Sequence, residues 1–471
     1  MRLKDSMASR LNQLLPGEVH IVGGGVEGLS TLRFLQAAGR TDLTLRDRNA
    51  RLETFDGIAN VCGNGYLDGI PANATVFRSA GVRFDLPQLQ THRDGNGQVL
   101  SQLKLFCALH RALYPKGRII GVTATMGKGT ICTFISEMLK AAAVPHALLG
   151  NIGKPMLDIF LEDEVPEVVV LELSSFQLSD FVPGDGLTAK ELAPDVAVFG
   201  HITIEHLDWH PDQIEYWESK ANLANFQSES HVAVHLSRDP GSVFGGMAGD
   251  AMRFTLGQEG SLRVEYDALV DDHGRVLLEL SQLKVPGSFQ LENAGLAWLA
   301  ASAIGVAEEQ CFQGACNFAG LRHRLMWAGE ADGVRFYNDS YATRPEATLA
   351  ALDALSAQPI ALILGGSDKG VDFDELALGI LACRSICHVA LIGATASRLR
   401  ESLTRAGHPP FELQEHPGLP EAFEASVRSL HGKQGAVLLS PACASFGLFA
   451  NYKERGEAFL RLASARTGLT F

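Results

Sequence analysis

The sequence predicts an α/β protein built from three domains, and three observations support this fold class. Short apolar runs recur at intervals that leave room for helices between them, which is typical of parallel α/β domains. Two glycine-containing loops each follow a predicted strand and precede a predicted helix. The length of 471 residues also exceeds what one hydrophobic core normally supports, so several domains are expected.

The predicted strands are short runs rich in apolar residues, and helical stretches separate most of them. They are expected at residues 18–22, 43–45, 118–122, 168–173, 196–199, 232–235, 334–337, 360–364, 389–392 and 436–439. The segment 241–284 instead contains Gly, Asp and short β-like runs, with no clean helical pattern.

The composition excludes several classes of function. Lys and Arg total 40 against 54 for Asp and Glu, and the net charge of −14 argues against a general nucleic-acid-binding or anionic-membrane surface. No signal-peptide core precedes Gly17, and no stretch approaches the roughly 18–20 apolar residues that span a bilayer. We therefore expect a cytoplasmic protein that neither binds nucleic acid nor inserts into a membrane.

The eight cysteines do not suggest a disulfide framework in a chain of this length. Cys311 and Cys316, and likewise Cys383 and Cys387, have suggestive spacings, but neither pair has a second ligand pair at zinc-site spacing. Buried, reduced thiols are the expected state.

The first glycine loop has the pattern G-x-G-x-x-G at Gly23, Gly25 and Gly28. Such glycines permit a tight turn and let a phosphate approach the N-terminus of the following helix, where free N–H groups favour anions. Asp47 follows about twenty residues later at a strand end and could accept a hydrogen bond from a ribose or a base edge. A dinucleotide-dependent oxidoreductase would show the same loop, so this motif alone leaves both interpretations open.

The second loop, at residues 121–130, indicates a phosphate-binding loop more strongly. In such loops backbone N–H groups surround the phosphates and a lysine, here Lys128 after Gly127, reaches the terminal ones. A Ser or Thr normally follows this lysine to bind Mg²⁺, whereas Gly129 stands there and Thr130 is the next hydroxyl. A lysine that merely caps a buried turn is the alternative.

Two polar residues at predicted strand ends favour a functional site beside this loop. Glu172 ends a buried apolar strand, where a carboxylate is unfavourable unless it is paired or bound to a cation. His206 lies just beyond the strand 196–199, in the region where parallel sheets bind ligands. The sequence therefore predicts a metal site next to the phosphate loop.

These motifs, in their order and spacing, resemble those of the Mur ligases, and within that family the glutamate-adding branch. The resemblance extends from Val19 to about Phe459. The motifs that carry it lie at residues 127–128, 150–153, 172–177, 205–208, 322–324, 338–340, 364–366 and 440–446.

The resemblance implies an ATP-dependent ligase that adds D-glutamate to UDP-N-acetylmuramoyl-L-alanine, a cytoplasmic step of peptidoglycan synthesis. ATP would phosphorylate the muramoyl-alanine carboxylate, and the amine of glutamate would attack the resulting acyl phosphate. Charge builds on the transferred phosphoryl group, so such a site needs cations rather than a covalent nucleophile. The implied cofactors are ATP and Mg²⁺, together with a carbamylated lysine at Lys220. We expect the protein to act as a monomer.

The resemblance also implies a role for individual residues. Catalytic roles fall on Lys128, His206 and Lys220. The ATP-binding positions are Thr125, Gly127, Lys128, Gly129, Thr130, Asn293, Arg324 and Asp339. The UDP-substrate positions are Gly23, Gly25, Gly28, Asp47, Gly65 and Asn151. The metal-binding positions are Thr130, Glu172, His206 and Lys220. The glutamate-binding positions are Thr343, Lys369, Ser445 and Tyr452.

The implied domains are a Rossmann-like UDP-substrate domain at 1–115, a central P-loop ATPase-type domain at 116–320 and a Rossmann-like glutamate domain at 321–471.

Some positions depart from the family pattern and keep alternatives open. Gly129 leaves room for a catalytically degenerate nucleotide-binding relative, and Tyr341, where a lysine is common, for the use of L-glutamate. A folylpolyglutamate-type ligase shares the chemistry but lacks the N-terminal nucleotide domain.

Overall fold

The computed structural model describes residues 4–50, 57–238, 249–257, 261–368 and 370–471. The chain forms two compact units. The first comprises Met1–Glu279 and Leu291–Ala315, and the second comprises Leu280–Gln290 and Cys316–Phe471. Two sheets belong to the first unit and one to the second, which confirms the predicted α/β class. The domain boundaries near 115 and 320 remain a prediction.

The first sheet is parallel throughout, in the order β3-β2-β1-β4-β5. Its strands and the flanking helices are α1 (Asp5–Leu14), β1 (Val19–Val22), α2 (Val26–Ala37), β2 (Leu43–Asp47), β3 (Ala59–Cys62), β4 (Thr75–Arg78), α3 (Pro87–Asp94), β5 (Gln98–Ser101) and α4 (Gln102–Leu113). The strand order reverses beside β1, which is where sheets of this kind bind ligands.

The second sheet has the order β14-β13-β12-β11-β10-β9-β6-β8-β7. Its elements are β6 (Arg118–Thr123), α5 (Lys128–Ala141), β7 (His146–Gly150), β8 (Val168–Glu172), α6 (Ser175–Leu178), α7 (Ala189–Leu192), β9 (Val196–Phe199), α8 (Gln213–Ala221), β10 (Val232–Leu236), β11 (Met252–Leu256), β12 (Leu262–Glu265), β13 (Ala268–Asp271) and β14 (Val276–Glu279). Only β12–β14 pair antiparallel, and these short strands are the β-like runs predicted within 241–284.

The described residues of this part of the chain also form two helices and two short 3₁₀ segments. They are α9 (Phe289–Ala303), α10 (Glu308–Asn317), Met156–Leu161 and Leu280–Gln282.

The third sheet has the order β15-β16-β20-β17-β18-β19, and only its first pair is antiparallel. Its elements are β15 (Met326–Ala331), β16 (Val334–Asn338), α11 (Pro345–Ala354), β17 (Ile360–Leu364), α12 (Asp374–Ala382), β18 (Ile386–Ile392), α13 (Ala396–Ala406), β19 (Glu412–His416), α14 (Leu419–Ser429), β20 (Gly435–Leu439) and α15 (Tyr452–Thr467).

The central strands of all three sheets are buried on both faces. Every residue of β1, β9 and β17 is buried, because helices cover both sides of a parallel sheet and a continuous apolar run is needed there. This burial explains why apolar runs predicted these strands well. All eight cysteines are free thiols, as expected, but of the four in the two spaced pairs only Cys311 is buried, and Cys316, Cys383 and Cys387 are half-buried. None of the described helices is long and apolar enough to cross a membrane.

Candidate functional site

The first glycine loop connects β1 to α2, as the sequence predicted. Gly23 has φ of +100°, in the left-handed region that glycine adopts without strain. A Cβ on Gly28 would lie only 1.8 Å from the carbonyl oxygen of Gly23, so the helix can approach the strand only without a side chain. Gly25, at the N-cap of α2, has no atom within 4 Å of its Cβ position and leaves open space at the helix N-terminus.

Asp47 ends β2 and supports the first glycine loop directly. Its carboxylate accepts the Gly24 N–H at 2.5 Å and the Asn49 N–H at 2.6 Å. The sequence did not indicate this role in the loop itself. A contact of Asp47 with the UDP-substrate remains a prediction.

Sequence reasoning missed the loop after β4, which is bonded to the same glycine loop. The Ser79 hydroxyl donates to the Gly23 carbonyl at 2.9 Å, and the Ala80 N–H donates to the Glu27 carboxylate at 2.7 Å. Burial raises the pKa of Glu27, and the Ala80 N–H and Arg78 oppose this shift. The only signal available was the acidic residue inside the glycine pattern.

Gly65 and Asn151 follow other strands of the two sheets in the first unit. Gly65 has φ of +82° in the turn after β3. Asn151 follows β7, is exposed, and donates its N–H to the carbonyl oxygen of Glu172 at 3.1 Å. Asn151 therefore lies beside the strand end that carries the predicted metal ligand.

The phosphate loop connects β6 to α5, and Lys128 is the first residue of that helix. Gly127 has φ of +86°, and a Cβ on it would lie 2.7 Å from the Asn293 side-chain oxygen. Asn293, predicted to bind ATP, is thus in contact with the loop from α9. Gly129 and Thr130 are half-buried in the first turn of α5, where N–H groups favour phosphate.

Thr125 holds the phosphate loop from inside the protein. Its N–H donates to the His201 carbonyl at 2.8 Å, and its hydroxyl accepts the Thr203 N–H at 2.9 Å. The same hydroxyl lies 2.7 Å from the Tyr216 hydroxyl. A direct contact between Thr125 and ATP remains a prediction.

Lys220 is buried on α8 behind the phosphate loop. Its Nζ donates to the Ala124 carbonyl at 2.9 Å and lies 4.6 Å from the Tyr216 ring centroid. The pKa of Lys220 is lowered to about 7, with burial as the largest cause and the positive charge of Lys128 as the second, while Glu205 opposes the shift. Lys220 is thus a buried residue of its helix and not a surface lysine.

Glu172 and the phosphate loop stand at the same edge of the second sheet. β8 pairs in parallel with β6 and places Glu172 opposite Val122, one residue before β6 ends. β9 flanks β6 on the other side, so the chain after Phe199 leaves at this edge as well. The topology thus brings the predicted site residues of three strands together.

His206 has an unusual backbone conformation in the segment after β9. Its φ of +59° lies in the left-handed region, which few non-glycine residues adopt. The ring packs 4.8 Å from the Phe176 ring, Nε2 lies 3.5 Å from the Glu205 carboxylate, and the side chain is 40% exposed. The imidazole is therefore accessible to a ligand.

The donor set at this edge fits a hard divalent cation. Mg²⁺ is usually held by one or two carboxylates together with substrate phosphates, and Glu172 and the Thr130 hydroxyl are oxygen donors of this kind. Within the described ranges, His, Cys, Asp and Glu side chains form no cluster of three that could bind a metal alone. A cation here would thus need ATP oxygens as well.

Asp339, in the second unit, is buried at the end of the antiparallel hairpin. Its carboxylate accepts the Leu325 N–H at 2.9 Å and the Ser440 hydroxyl at 2.7 Å. Burial raises the pKa of Asp339 to about 7, against the effect of these hydrogen bonds and of nearby arginines. Arg324 is exposed, and its guanidinium lies 4.0 Å from the Tyr341 ring centroid.

The glutamate-binding candidates lie in loops of the second unit. Tyr452 packs edge-on against Tyr341, with ring centroids 5.0 Å apart. Ser445 is buried and follows the Ala444 bridge to Ser367, whereas Thr343 is exposed. Lys369 lies outside the described residues.

Sequence reasoning also missed Arg455, which holds these loops together. Its buried guanidinium donates to the carbonyl oxygens of Ser340 at 2.9 Å and Cys443 at 3.0 Å. Burial lowers the pKa of Arg455 to about 10. No signal pointed to it, because a single arginine in a helix is usually exposed.

Two family models match the chain in the expected order. The Mur ligase middle domain matches residues 122–301, and the Mur ligase glutamate ligase domain matches residues 323–443. Together these matches extend over more than half of the chain.

Curated relatives match almost the whole sequence. The UDP-N-acetylmuramoylalanine–D-glutamate ligase of Symbiobacterium thermophilum is 33% identical over 463 residues, which cover 94% of this chain and 97% of the relative. The enzyme of the same name from Acetivibrio thermocellus is 33% identical over 469 residues, covering 95% and 96%.

Solved structures share the fold at low sequence identity. MurF from Acinetobacter baumannii has a TM-score of 0.62 at 16% identity and covers 99% of this chain and 100% of its own. MurC from Thermotoga maritima has a TM-score of 0.54 at 17% identity and covers 95% and 99%. With the family models and the relatives that match nearly its full length, this chain belongs to the Mur ligase family.

Proposed function

We propose that this protein joins glutamate to UDP-N-acetylmuramoyl-L-alanine with hydrolysis of ATP to ADP and phosphate, a step of peptidoglycan synthesis. The observation that carries the proposal is the placement of Lys128, Glu172 and Lys220 around one sheet edge. A relative that is 33% identical over 94% of the chain is named a D-glutamate ligase, which favours the D-enantiomer.

The first glycine loop is the proposed site for the UDP group. The open space at Gly25 and the N-terminus of α2 would accept the diphosphate, because unpaired N–H groups point there. Asp47 and Ser79 hold this loop by hydrogen bonds to Gly24 and Gly23. Asn151, beside Glu172, would contact the muramoyl part.

The reaction would begin when the alanine carboxylate attacks the γ-phosphorus of ATP. The bond to the β,γ-bridging oxygen breaks, ADP leaves, and an acyl phosphate forms. The Nζ of Lys128 donates to two carbonyl oxygens of the loop, those of Ala124 and Thr125. With ATP bound it would donate to the γ-phosphate instead and neutralise the charge that develops there. A bound Mg²⁺, held by Glu172, His206 and Thr130, would supply further positive charge to the phosphate oxygens.

The glutamate amine would then attack the acyl carbon, and the tetrahedral centre would expel inorganic phosphate as the amide forms. The amine loses its proton to solvent or phosphate in this step. In the second unit, Thr343, Ser445, Tyr452 and Lys369 are the proposed glutamate-binding residues, and Arg324 and Asp339 the proposed nucleotide-binding residues.

We also propose that Lys220 is carbamylated. A buried ammonium is unfavourable, and the lowered pKa makes the neutral amine accessible near pH 7. The neutral amine adds to CO₂ and releases a proton, which gives a carboxylate-like oxygen donor next to the phosphate loop. The ATP and UDP-sugar substrates favour a cytoplasmic location, and a monomeric state remains our prediction.

The test is phosphate release from ATP in the presence of Mg²⁺, bicarbonate and UDP-N-acetylmuramoyl-L-alanine. D-glutamate, L-glutamate or neither is added. We expect release that depends on D-glutamate and is lost in Lys128→Ala. Dependence on L-glutamate alone would correct the enantiomer. No release with either enantiomer, from folded protein, would contradict the ligase function.

A further inference from the structure

Arg83 joins the loop after β4 to the segment that carries His206, and both belong to the first unit. One guanidinium nitrogen donates to the Trp209 carbonyl oxygen. The guanidinium carbon lies 4.8 Å from the Trp209 ring centroid, as in a cation–π contact. A second nitrogen lies 3.5 Å from the Glu215 carboxylate, and Asp85 holds the guanidinium by hydrogen bonds of 2.6 and 2.7 Å.

Trp209 in turn contacts the surroundings of His206. The Trp209 ring packs 4.5 Å from the Phe176 ring, which packs 4.8 Å from the His206 ring. The backbone N–H of Trp209 also donates to the carbonyl oxygen of His206 at 3.0 Å and closes the turn. A residue with positive φ, such as His206, stays in that conformation only when its surroundings hold it.

A second set of contacts leads from Arg83 to the motif after β8. Glu215 lies 3.3 Å from His210 Nδ1, and His210 Nε2 lies 2.9 Å from the Ser175 hydroxyl. The His210 side chain is fully buried. Arg83 therefore holds the turn 206–210 through its backbone, through an aromatic ring and through an ion pair.

We propose that Arg83 is a positioning residue for His206. By fixing Trp209 and the turn, it sets the orientation of the His206 imidazole against Phe176. The inference rests on the proposed function, in which His206 binds Mg²⁺. It adds a residue of the first sheet to the support of a ligand that belongs to the second.

The position of Arg83 in the chain gives this role a further consequence. Ser79 and Ala80, in the same loop, are bonded to the glycine loop at Gly23 and Glu27. A short loop thus contacts both the proposed UDP site and the turn of His206. Loss of Arg83 removes contacts with the turn of His206 but leaves the bonds of Ser79 and Ala80 to the glycine loop. It should therefore affect cation binding more than binding of the UDP-substrate at the glycine loop.

The experiment compares Arg83→Met with Arg33→Met. Arg33 also joins the two sheets of the first unit, through Asp158 at 2.9 Å, but does not contact the turn of His206. Mn²⁺ binding is measured by electron paramagnetic resonance with UDP-N-acetylmuramoyl-L-alanine and a non-hydrolysable ATP analogue present, because the cation site includes nucleotide oxygens. We expect about tenfold weaker Mn²⁺ binding in Arg83→Met, as for other residues that orient a metal ligand, partial rescue in Arg83→Lys, and unchanged binding in Arg33→Met.

Activity gives the second measurement. The Mg²⁺ concentration for half-maximal ligation should rise in Arg83→Met, whereas kcat at saturating Mg²⁺ should change little. In a His206→Ala background the Arg83 change should have no further effect on Mn²⁺ binding. Wild-type Mn²⁺ affinity in Arg83→Met, or an equal loss in Arg33→Met, would overturn the inference. A wild-type protein without glutamate-dependent phosphate release would contradict the proposed function instead, since the Mn²⁺ comparison requires no turnover.

Discussion

Lys128 and Lys220 donate to the same acceptor, the carbonyl oxygen of Ala124, each at 2.9 Å. Two ammonium groups at one carbonyl repel each other, and Lys220 is also buried. Burial is the larger cause of its lowered pKa, and the charge of Lys128 is the second. The structure thus favours the neutral amine at the lysine for which carbamylation is proposed.

Carbamylation of Lys220 should therefore increase as the pH rises through about 7. It should keep increasing above that pH until the lysine is fully carbamylated, because carbamate formation also releases a proton. The protonated amine, which predominates below that pH, does not react with CO₂. The measurement is the ¹³C-carbamate signal of protein equilibrated with ¹³CO₂ at constant partial pressure. Lys220→Met should lose the signal, and Lys190→Met, which changes an exposed lysine, should retain it. An unchanged signal in Lys220→Met would place the carbamate elsewhere.

Gly28→Ala should abolish UDP-substrate binding and destabilise the first unit by about 1–3 kcal/mol or more, as overpacking does. The added methyl group would lie 1.8 Å from the Gly23 carbonyl oxygen, and neither backbone can move without opening the loop. Calorimetric titration with UDP-N-acetylmuramoyl-L-alanine and urea unfolding are the measurements. Gly25→Ala is the matched control for stability, because its Cβ would meet no atom within 4 Å. Wild-type affinity in Gly28→Ala would contradict the proposed UDP site.

The sequence predicted those parts of the site that depend on local pattern. Lys128 begins a helix after a buried strand, and Glu172 ends one, so apolar runs and glycines were enough to place both. Glu27 and Arg83 were missed because their partners, Ala80 and Trp209, lie 53 and 126 residues away in the chain. Spacing along the sequence carries no information about such contacts until the strand order is known.

Asp180→Ala should destabilise the first unit by about 3–5 kcal/mol, because it leaves the Arg78 guanidinium buried without its counter-ion. The two side chains are 5% and 0% exposed and lie 2.8 Å apart. Urea unfolding measures the change. Glu137→Ala, which removes the partner of Lys140 in an ion pair on α5, should cost well under about 1 kcal/mol. Equal effects of the two substitutions would show that the buried pair contributes no more than the surface pair.

Asp339→Asn should change how the stability of the second unit depends on pH. Folding raises the pKa of Asp339 from 3.8 to about 7, so the folded state holds a proton that the unfolded state releases between these values. The stabilisation from this proton is complete below pH 3.8, decreases as the pH rises through about 7, and is absent above it. Its size is on the order of 4 kcal/mol at most.

Hydrogen–deuterium exchange of the peptides that contain β16 and β20 measures this effect locally. As the pH rises from about 5 to about 7, the wild type should lose protection relative to Asp339→Asn. Above about pH 7 the difference between the two proteins should stay constant. Asp353→Asn, at an exposed position on α11, should show no such trend. A difference that does not vary with pH would mean that Asp339 is ionised throughout this range, and that its two hydrogen bonds outweigh its burial.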